Sequence, residues 1–559
     1  MWKWLLGCVA VLVLGVGLVA ANLQTIMLRY PVVLSWISQA LDPIGPTQEV
    51  TWAPGPETAS VSPGDRPPNI VVILVDDMGW NDLTWKGGGV ADGTVPTPNI
   101  DSLARDGVEF SMGYAGNATC APSRAALLTG RYPPRFGFES TPAPAAMGKL
   151  VATMNNSDLP DGHPKTLFFE DRISEVPDMS AQGVPSSEIT LAEVLREEGY
   201  RTLMFGKWHL GSYEGQRPTD QGFDESLGFY SGGSLFGAED DPNIVNSKQE
   251  FDPIDTFVWK VVSYAIRKNN EPRFTPPEYM TDYLSAEAAR AIDANRNRPF
   301  FMYLAYNAPH NPLQATRADY EALSHIEDHA TRVYGAMIRS LDRGVGEVLD
   351  ALRRNGLENN TLVVFSSDNG GAGYLGIPDL NKPYRGWKMT FFEGGLHSPF
   401  FMKWPAVLPK GVVVDSPISH IDVFSTAAAA AGAQVPGDRV IDGVDLVPYA
   451  TGEQTGEPHD ALFWRSGGLH VVMADGWKLQ VDSRQKKRWL FNLDEDPTEQ
   501  QNRITDAPER TRELQARLDA FNEEMGPRDF PVLVEGPVPI DRTSADPYVP
   551  GEEFAYWPN

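Results

Sequence analysis

The chain has 559 residues, 42% apolar and 22% charged, with 47 Lys and Arg against 74 Asp and Glu for a net charge of −27. It is long enough for a large core and more than one domain, and its composition excludes a disordered or fibrous chain. Its acidity excludes nucleic acid held by bulk charge, so an anionic substrate requires a local cluster of cations.

Lys3 precedes an uncharged stretch, residues 4–28, that ends at Arg29. This reads as a secretory signal, with the small residues Val19-Ala20-Ala21 near its end, or as an N-terminal membrane anchor, and both outcomes stay open. Either way the body faces an export compartment (periplasmic, extracellular or lumenal). Residues 1–41 form this segment. Residues 42–68, rich in Pro, Gly, Thr and Glu, read as a linker.

The body begins at Asn69. Ile70–Val75 is a continuous apolar, β-branched run of the kind found in a buried parallel strand. Arg201–Phe205, Phe300–Tyr306 and Thr361–Phe365 resemble it, and helical patterns at Ile189–Glu198, Met280–Asn295 and His329–Asn355 lie between. The alternation predicts an α/β fold: a large, mostly parallel sheet sandwiched by helices, over residues 69–454. Segments 138–188 and 228–278 read as insertions at its mouth. From 455 to 530, four short strand patterns and an amphipathic helix (Asp506–Met525) predict a small antiparallel sheet plus helix. Residues 531–559 read as an extended Pro-rich tail.

Each of the four strands is followed at once by polar groups: Asp76 and Asp77, then Lys207 and His209, then His310, then Asp368 and Asn369. Ligands of open α/β sheets bind at such carboxyl ends. Three carboxylates and an amide suit a hard divalent cation, Ca²⁺ or Mg²⁺, better than zinc. Cys120 is one of two cysteines, and the other, Cys8, lies in the N-terminal apolar stretch. Cys120 is therefore either a small buried hydrophobe or a nucleophile, or the precursor of one. Ser123-Arg124 before Ala125–Leu128 predicts a helix start, which offers N–H groups to an oxyanion beside Arg124. Lys207 and Lys388 are further cations, and His209 and His310 are candidate acid/base groups. Trp80, Trp85 and Trp387 flank the predicted site as stacking surfaces or as packing.

Cys120-Ala-Pro-Ser-Arg124, followed by Leu127-Leu-Thr-Gly-Arg131, resembles the formylglycine-dependent (type I) sulfatases, arylsulfatase-like members of the alkaline-phosphatase-like superfamily. Pro68–Asp77, Pro98–Ala104, Gly206–Gly211, Ala308–His310, Ser367–Gly370, Tyr384–Lys388 with Glu393-Gly-Gly, and Leu490–Pro497 extend the match in order. The resemblance implies a sulfuric ester hydrolase acting on aryl sulfate or, in nature, sulfated carbohydrate. It implies that Cys120 is oxidised by a formylglycine-generating enzyme to Cα-formylglycine. It implies that Asp76, Asp77, Asp368, Asn369 and the modified residue hold one divalent cation, Ca²⁺ before Mg²⁺. It implies that Arg124 fixes the modified side chain, that Lys207 and Lys388 hold sulfate, and that His209 and His310 share base and acid roles. A phosphodiesterase or phosphonate monoester hydrolase of the same superfamily is the alternative. A non-catalytic carbohydrate-binding homologue and a direct thiol enzyme are the others.

Overall fold

The computed structural model describes residues 39–59, 61, 66–157 and 159–559. The stretch 4–28 and Cys8 lie outside them, and no helix among the described residues is long and apolar enough to cross a membrane.

A nine-stranded sheet organises the body. Its strands in chain order are β1 (Asn69–Asp76), β2 (Val108–Tyr114), β3 (Arg201–Lys207), β4 (Glu225–Phe229), β5 (Arg267–Lys268), β6 (Phe300–Pro309), β7 (Thr361–Ser367), β8 (Phe400–Lys403) and β9 (Val412–Ser419). The spatial order is β9-β2-β8-β7-β1-β6-β3-β4-β5. The four strands predicted from apolar runs are the contiguous centre, β7-β1-β6-β3, and all three pairings among them are parallel. Their runs are continuous because both faces are covered. In β1, Ile70, Val72 and Leu74 enter one core, and Val71, Ile73 and Val75 enter the other.

Helices α1 (Cys120–Thr129), α2 (Leu191–Glu197) and α5 (Ile421–Ala431) pack on the first face through Ala125, Leu128, Leu195 and Phe424. Helices α3 (Met280–Asn295) and α4 (His329–Arg354) cover the second through Leu284, Ile292, Met337, Leu341, Val345 and Val348. The last four recur at helical spacing, so α4 presents one apolar stripe to the sheet. Its N-terminus is capped by Asp328, whose carboxylate accepts from the Thr331 N–H at 2.8 Å.

Two expectations change. Residues 42–57 of the linker segment are docked rather than free: Val50 and Trp52 are buried, and the Trp52 indole donates to Glu287 at 2.8 Å. The tail 531–559 folds back as a hairpin, Val534–Pro539 against Phe554–Pro558, completed by Leu167–Phe168. Val534 and Trp557 are buried there, and that burial offsets the ordering of an otherwise Pro-rich stretch. The four C-terminal strands, Leu462–Ser466, Leu469–Ala474, Trp477–Asp482 and Lys487–Asn492, pair antiparallel in sequence order. Helix α6 (Pro508–Glu524) covers one face through Leu514 and Leu518. The other face sets Trp464, Trp489 and Phe491 against Phe392, Leu396 and Tyr114 of the body.

Helix α1 is tied to the sheet by a buried imidazole. His420 bridges Ser123 Oγ (3.1 Å) and Ser366 Oγ (2.9 Å). Burial, and then the Arg124 charge working against the Asp368 carboxylate, lowers its pKa to about 4. The native state therefore resists protonating it, while the unfolded chain protonates near pH 6.5. This contribution, about 3 kcal/mol, is complete above pH 6.5 and is lost as the pH falls towards 4. Buried Asp82, raised to about 7 by desolvation, acts in the opposite sense, so the effect is read as a difference. Denaturant titrations at pH 7 and pH 4.5 are expected to show a smaller acid loss in His420→Asn than in the wild type.

Candidate active site

The site forms where the carboxyl ends of β7, β1, β6 and β3 meet the N-terminus of α1. Asp76 ends β1 and Lys207 ends β3, and the Lys207 ammonium donates to both Asp76 oxygens at 2.9 and 2.7 Å. Gly206 permits the close approach of β3 to β6, since a Cβ there would lie 1.9 Å from the Ala305 carbonyl oxygen. Asp368 and Asn369 follow β7, and His310 follows β6. Asp77 and His209 hold φ values of +62° and +61°, and Met389, beside Lys388, holds +74°. Such strain in non-glycine residues concentrates at functional sites.

Helix α1 starts three residues earlier than its sequence suggested, at Cys120 itself. Pro122 is tolerated because first-turn N–H groups have no intrahelical partner. Cys120 Sγ lies 3.7 Å from Asp77 Oδ1. One turn on, Arg124 donates to Asp368 Oδ2 through Nη2 (2.6 Å) and Nε (2.9 Å), and Nη2 lies 3.4 Å from Asp76 Oδ1. Asn369 Nδ2 donates to Asp77 Oδ1 at 2.8 Å. Lys388 reaches in from the loop after β7, its ammonium 2.7 Å from Asp77 Oδ2 and 3.3 Å from His310 Nε2.

Of the predicted residues, Asp76, Asp77, Cys120, Arg124, Lys207, His310, Asp368, Asn369 and Lys388 converge in one buried cluster. His209 lines the adjoining cavity, and neither of its buried ring nitrogens has a hydrogen-bond partner. Ligand atoms of Asp76, Asp77, Cys120 and His310 all lie within 4.8 Å of one another. Asp368 stands outside that group, its Oδ2 on Arg124 and its Oδ1 accepting the Asp77 N–H at 3.1 Å. Sequence reasoning missed Tyr374, whose hydroxyl donates to Asp77 Oδ2 at 3.1 Å and sits 3.2 Å from Lys388 Nζ. Its position seven residues beyond β7, in the single 3-10 turn Gly373–Leu375, gave no periodic signal.

Burial would push Asp77 up, but Lys388, His310 and Lys207 hold it below the usual carboxylate range. Asp368 is raised to about 6 by burial and the Asp76 charge, against the opposing pull of Arg124. His310 is lowered to about 3, chiefly by burial and by Lys388 against the pull of Asp77. Burial, with Lys207, drives His209 far below its ordinary value. Both imidazoles are thus neutral near pH 7. Burial also pushes the Cys120 thiol up, so it is not a ready thiolate.

Cys120, His209, His310, Tyr374 and Lys388 open onto a cavity of about 960 Å³. Both insertions line its mouth, through Met147 and Gln182 and through Gly232 and Val258. Trp80 and Trp85 do not line it: Trp80 packs edge-on to His397, and the Trp85 indole donates to Glu109 at 3.0 Å. Trp387 lines a side compartment of about 260 Å³.

The sequence matches the sulfatase family profile over residues 68–433. The chain belongs to the sulfatase family. It is 35% identical to mouse (Mus musculus) N-acetylgalactosamine-6-sulfatase, over 74% of this chain and 72% of that protein. It is 32% identical to mouse steryl-sulfatase, over 73% of this chain and 69% of that protein. The crystal structure of Ps i-CgsB in complex with k-i-k-neocarrahexaose superposes with a TM-score of 0.68 at 29% identity, covering 83% of this chain and 95% of that one. This sulfatase is accordingly a sulfuric ester hydrolase with the alkaline-phosphatase-like fold.

Arg124 is fully buried against Asp368, so removing its charge strands that carboxylate, while Asp76 keeps Lys207. Arg124→Met in the sulfatase is expected to cost about 3–5 kcal/mol in denaturant unfolding, more than a volume change alone gives.

Proposed function

We propose that this sulfatase hydrolyses sulfate monoesters through a formylglycine made from Cys120, beside one divalent cation. The observation that carries the reading is the position of Cys120. It is the first residue of α1, against Asp77, with Lys207, Lys388 and Arg124 gathered around it. A raised thiol facing a carboxylate is poorly placed to act as sulfur, which favours its replacement by oxygen.

The residues suit a hard cation. Asp76, Asp77, Asp368 and Asn369 offer oxygen, and the buried Asn369 Oδ1 has no hydrogen-bond partner. In the described arrangement Lys207 and Lys388 balance Asp76 and Asp77, and Ca²⁺ is the ion we favour over Mg²⁺. Once bound, the cation would neutralise charge on sulfate oxygens and ease formation of an alkoxide. The hydrated formylglycine would supply an attacking oxygen and a second hydroxyl, so that sulfate leaves by elimination. Lys207 and Lys388 bind the sulfate and stabilise the charge that develops on it. His310, being neutral, serves as an acceptor beside the Lys388 ammonium, and the pair together delivers a proton to the departing alcohol oxygen. His209, with both ring nitrogens unpartnered, takes the proton from the second hydroxyl.

The Cys-x-Pro-x-Arg pattern is the target of a formylglycine-generating enzyme. Cys120 and Arg124 are buried in the fold, so oxidation precedes folding. The N-terminal segment supports export, either cleaved or retained as an anchor. Sulfated carbohydrate is the substrate class we favour, on similarity to N-acetylgalactosamine-6-sulfatase.

Mass spectrometry of the peptide containing residue 120, from protein made with the generating enzyme, is expected to show the aldehyde in place of the thiol. An unmodified thiol in fully active enzyme would refute the reading. Cys120→Ala is expected to lower kcat/KM on an aryl sulfate by about 10³-fold or more. Activity on an aryl phosphate diester above that on the sulfate would favour the phosphodiesterase alternative. Chelation is expected to abolish turnover and lower Tm, with Ca²⁺ restoring both.

A further inference from the structure

The cavity beyond the sulfate-binding groups has a character that the reaction does not require. At about 960 Å³ it is near the upper end of the roughly 300–1,000 Å³ usual for small-molecule sites. One wall is the helix Pro253–Val261 and the residue after it. Ile254, Val258, Val261 and Val262 are all half-buried there, and Met147 of the facing insertion helix Ala145–Asn155 is half-buried as well. Half-burial of aliphatic side chains around one cavity leaves apolar surface that gains from being covered.

The charges along the cavity complete the picture. Outside the cluster around Cys120, the lining cations among the described residues are Arg267 and Arg273. Both pair with the one carboxylate of Asp42, at 2.5 and 3.0 Å. Asp178 adds a negative charge to the lining. Arg267 and Arg273 thus face Asp42 and Asp178 with no net positive charge, so a second sulfate or a carboxylate on the substrate would have to compete with Asp42 for its partners, in a chain of net charge −27. A polyanionic glycan is thus poorly matched to this lining. An uncharged apolar group is well matched.

We propose that the substrate of this sulfatase is a singly sulfated amphiphile: a sulfated sugar bearing an uncharged apolar aglycone that lies along Met147, Ile254, Val258, Val261 and Val262. The proposal rests on the sulfatase reading of the Cys120 centre and names the substrate class of that same site. Sulfate is held at Cys120, and the aglycone supplies binding by displacing water from the aliphatic wall.

The test compares octyl and methyl β-galactoside 6-sulfate, and an octyl galactoside carrying a second sulfate. With the wild-type enzyme, kcat/KM for the octyl ester is expected to exceed that for the methyl ester by at least about 10-fold, in line with burial of several methylenes. The second sulfate is expected to reduce it by a similar factor. Val258→Asp and Val262→Asp are each expected to lower the octyl-to-methyl ratio at least about 10-fold. If those variants do not fold, the wild-type ratio decides alone. Calorimetry with Cys120→Ala separates this inference from the catalytic reading, because it measures affinity without turnover. Tighter binding of the octyl ester with no turnover by the wild type supports the cavity and overturns the chemistry. Equal affinity for octyl and methyl esters, or tighter binding of the disulfated compound, overturns the amphiphile proposal.

Discussion

The arrangement depends on burying opposite charges together at the carboxyl edge of a parallel sheet. Asp76 with Lys207, Asp368 with Arg124, and Asp77 with Lys388 are each nearly or wholly removed from water. Any one of these ions alone would cost several kcal/mol to bury, and the pairing makes the cluster tolerable without making it a source of stability. Its effect is geometric. Asp76 comes from β1, Lys207 from β3, Asp368 from the end of β7 and Arg124 from α1, so the ion pairs set the relative positions of four elements. A shift of any one of them would separate charges in a low-dielectric interior.

A second buried network extends that constraint to the C-terminal sheet. Lys478, inaccessible to solvent, pairs with Glu393 at 2.7 Å and with Glu499 at 3.0 Å. Glu393 also accepts from Tyr114 (3.0 Å) and contacts His397 Nδ1 (2.9 Å), while its N–H donates to Glu499 (2.6 Å). Glu393 lies five residues beyond Lys388. The small sheet therefore braces the far end of the segment that carries Lys388, through charges and through the aromatic contacts of Trp489 and Phe491 with Phe392. What reads in the sequence as an appended domain is packed into the support of the candidate active site.

The central strands were legible because burial on both faces writes an unbroken apolar run, as in Ile70–Val75 and Phe300–Tyr306. The long helices α3 and α4 were legible from their period. Strands β2, β4, β5, β8 and β9 were not. β8 has four residues, and β9 is an edge strand in which Pro417 accompanies a register shift against β2. Neither leaves a clear period-two pattern over enough residues. The docking of residues 42–57 and of the tail was equally hidden, because single anchors such as Trp52 and Trp557 carry no periodicity.

The sequence by itself determined the chemistry on offer: carboxylates, an amide, cations and imidazoles placed directly after strand patterns, and one cysteine at a helix start. Parallel strands all point the same way, so residues that follow them must share an edge. Tertiary structure alone decided which of those groups meet. It turned Asp368 onto Arg124, brought Tyr374 to Asp77, left both nitrogens of His209 without partners, and moved Trp80 and Trp85 away from the cavity. Those outcomes depend on loop paths and on the pairing of buried charges. Both are set by contacts between residues hundreds of positions apart, which local pattern does not encode.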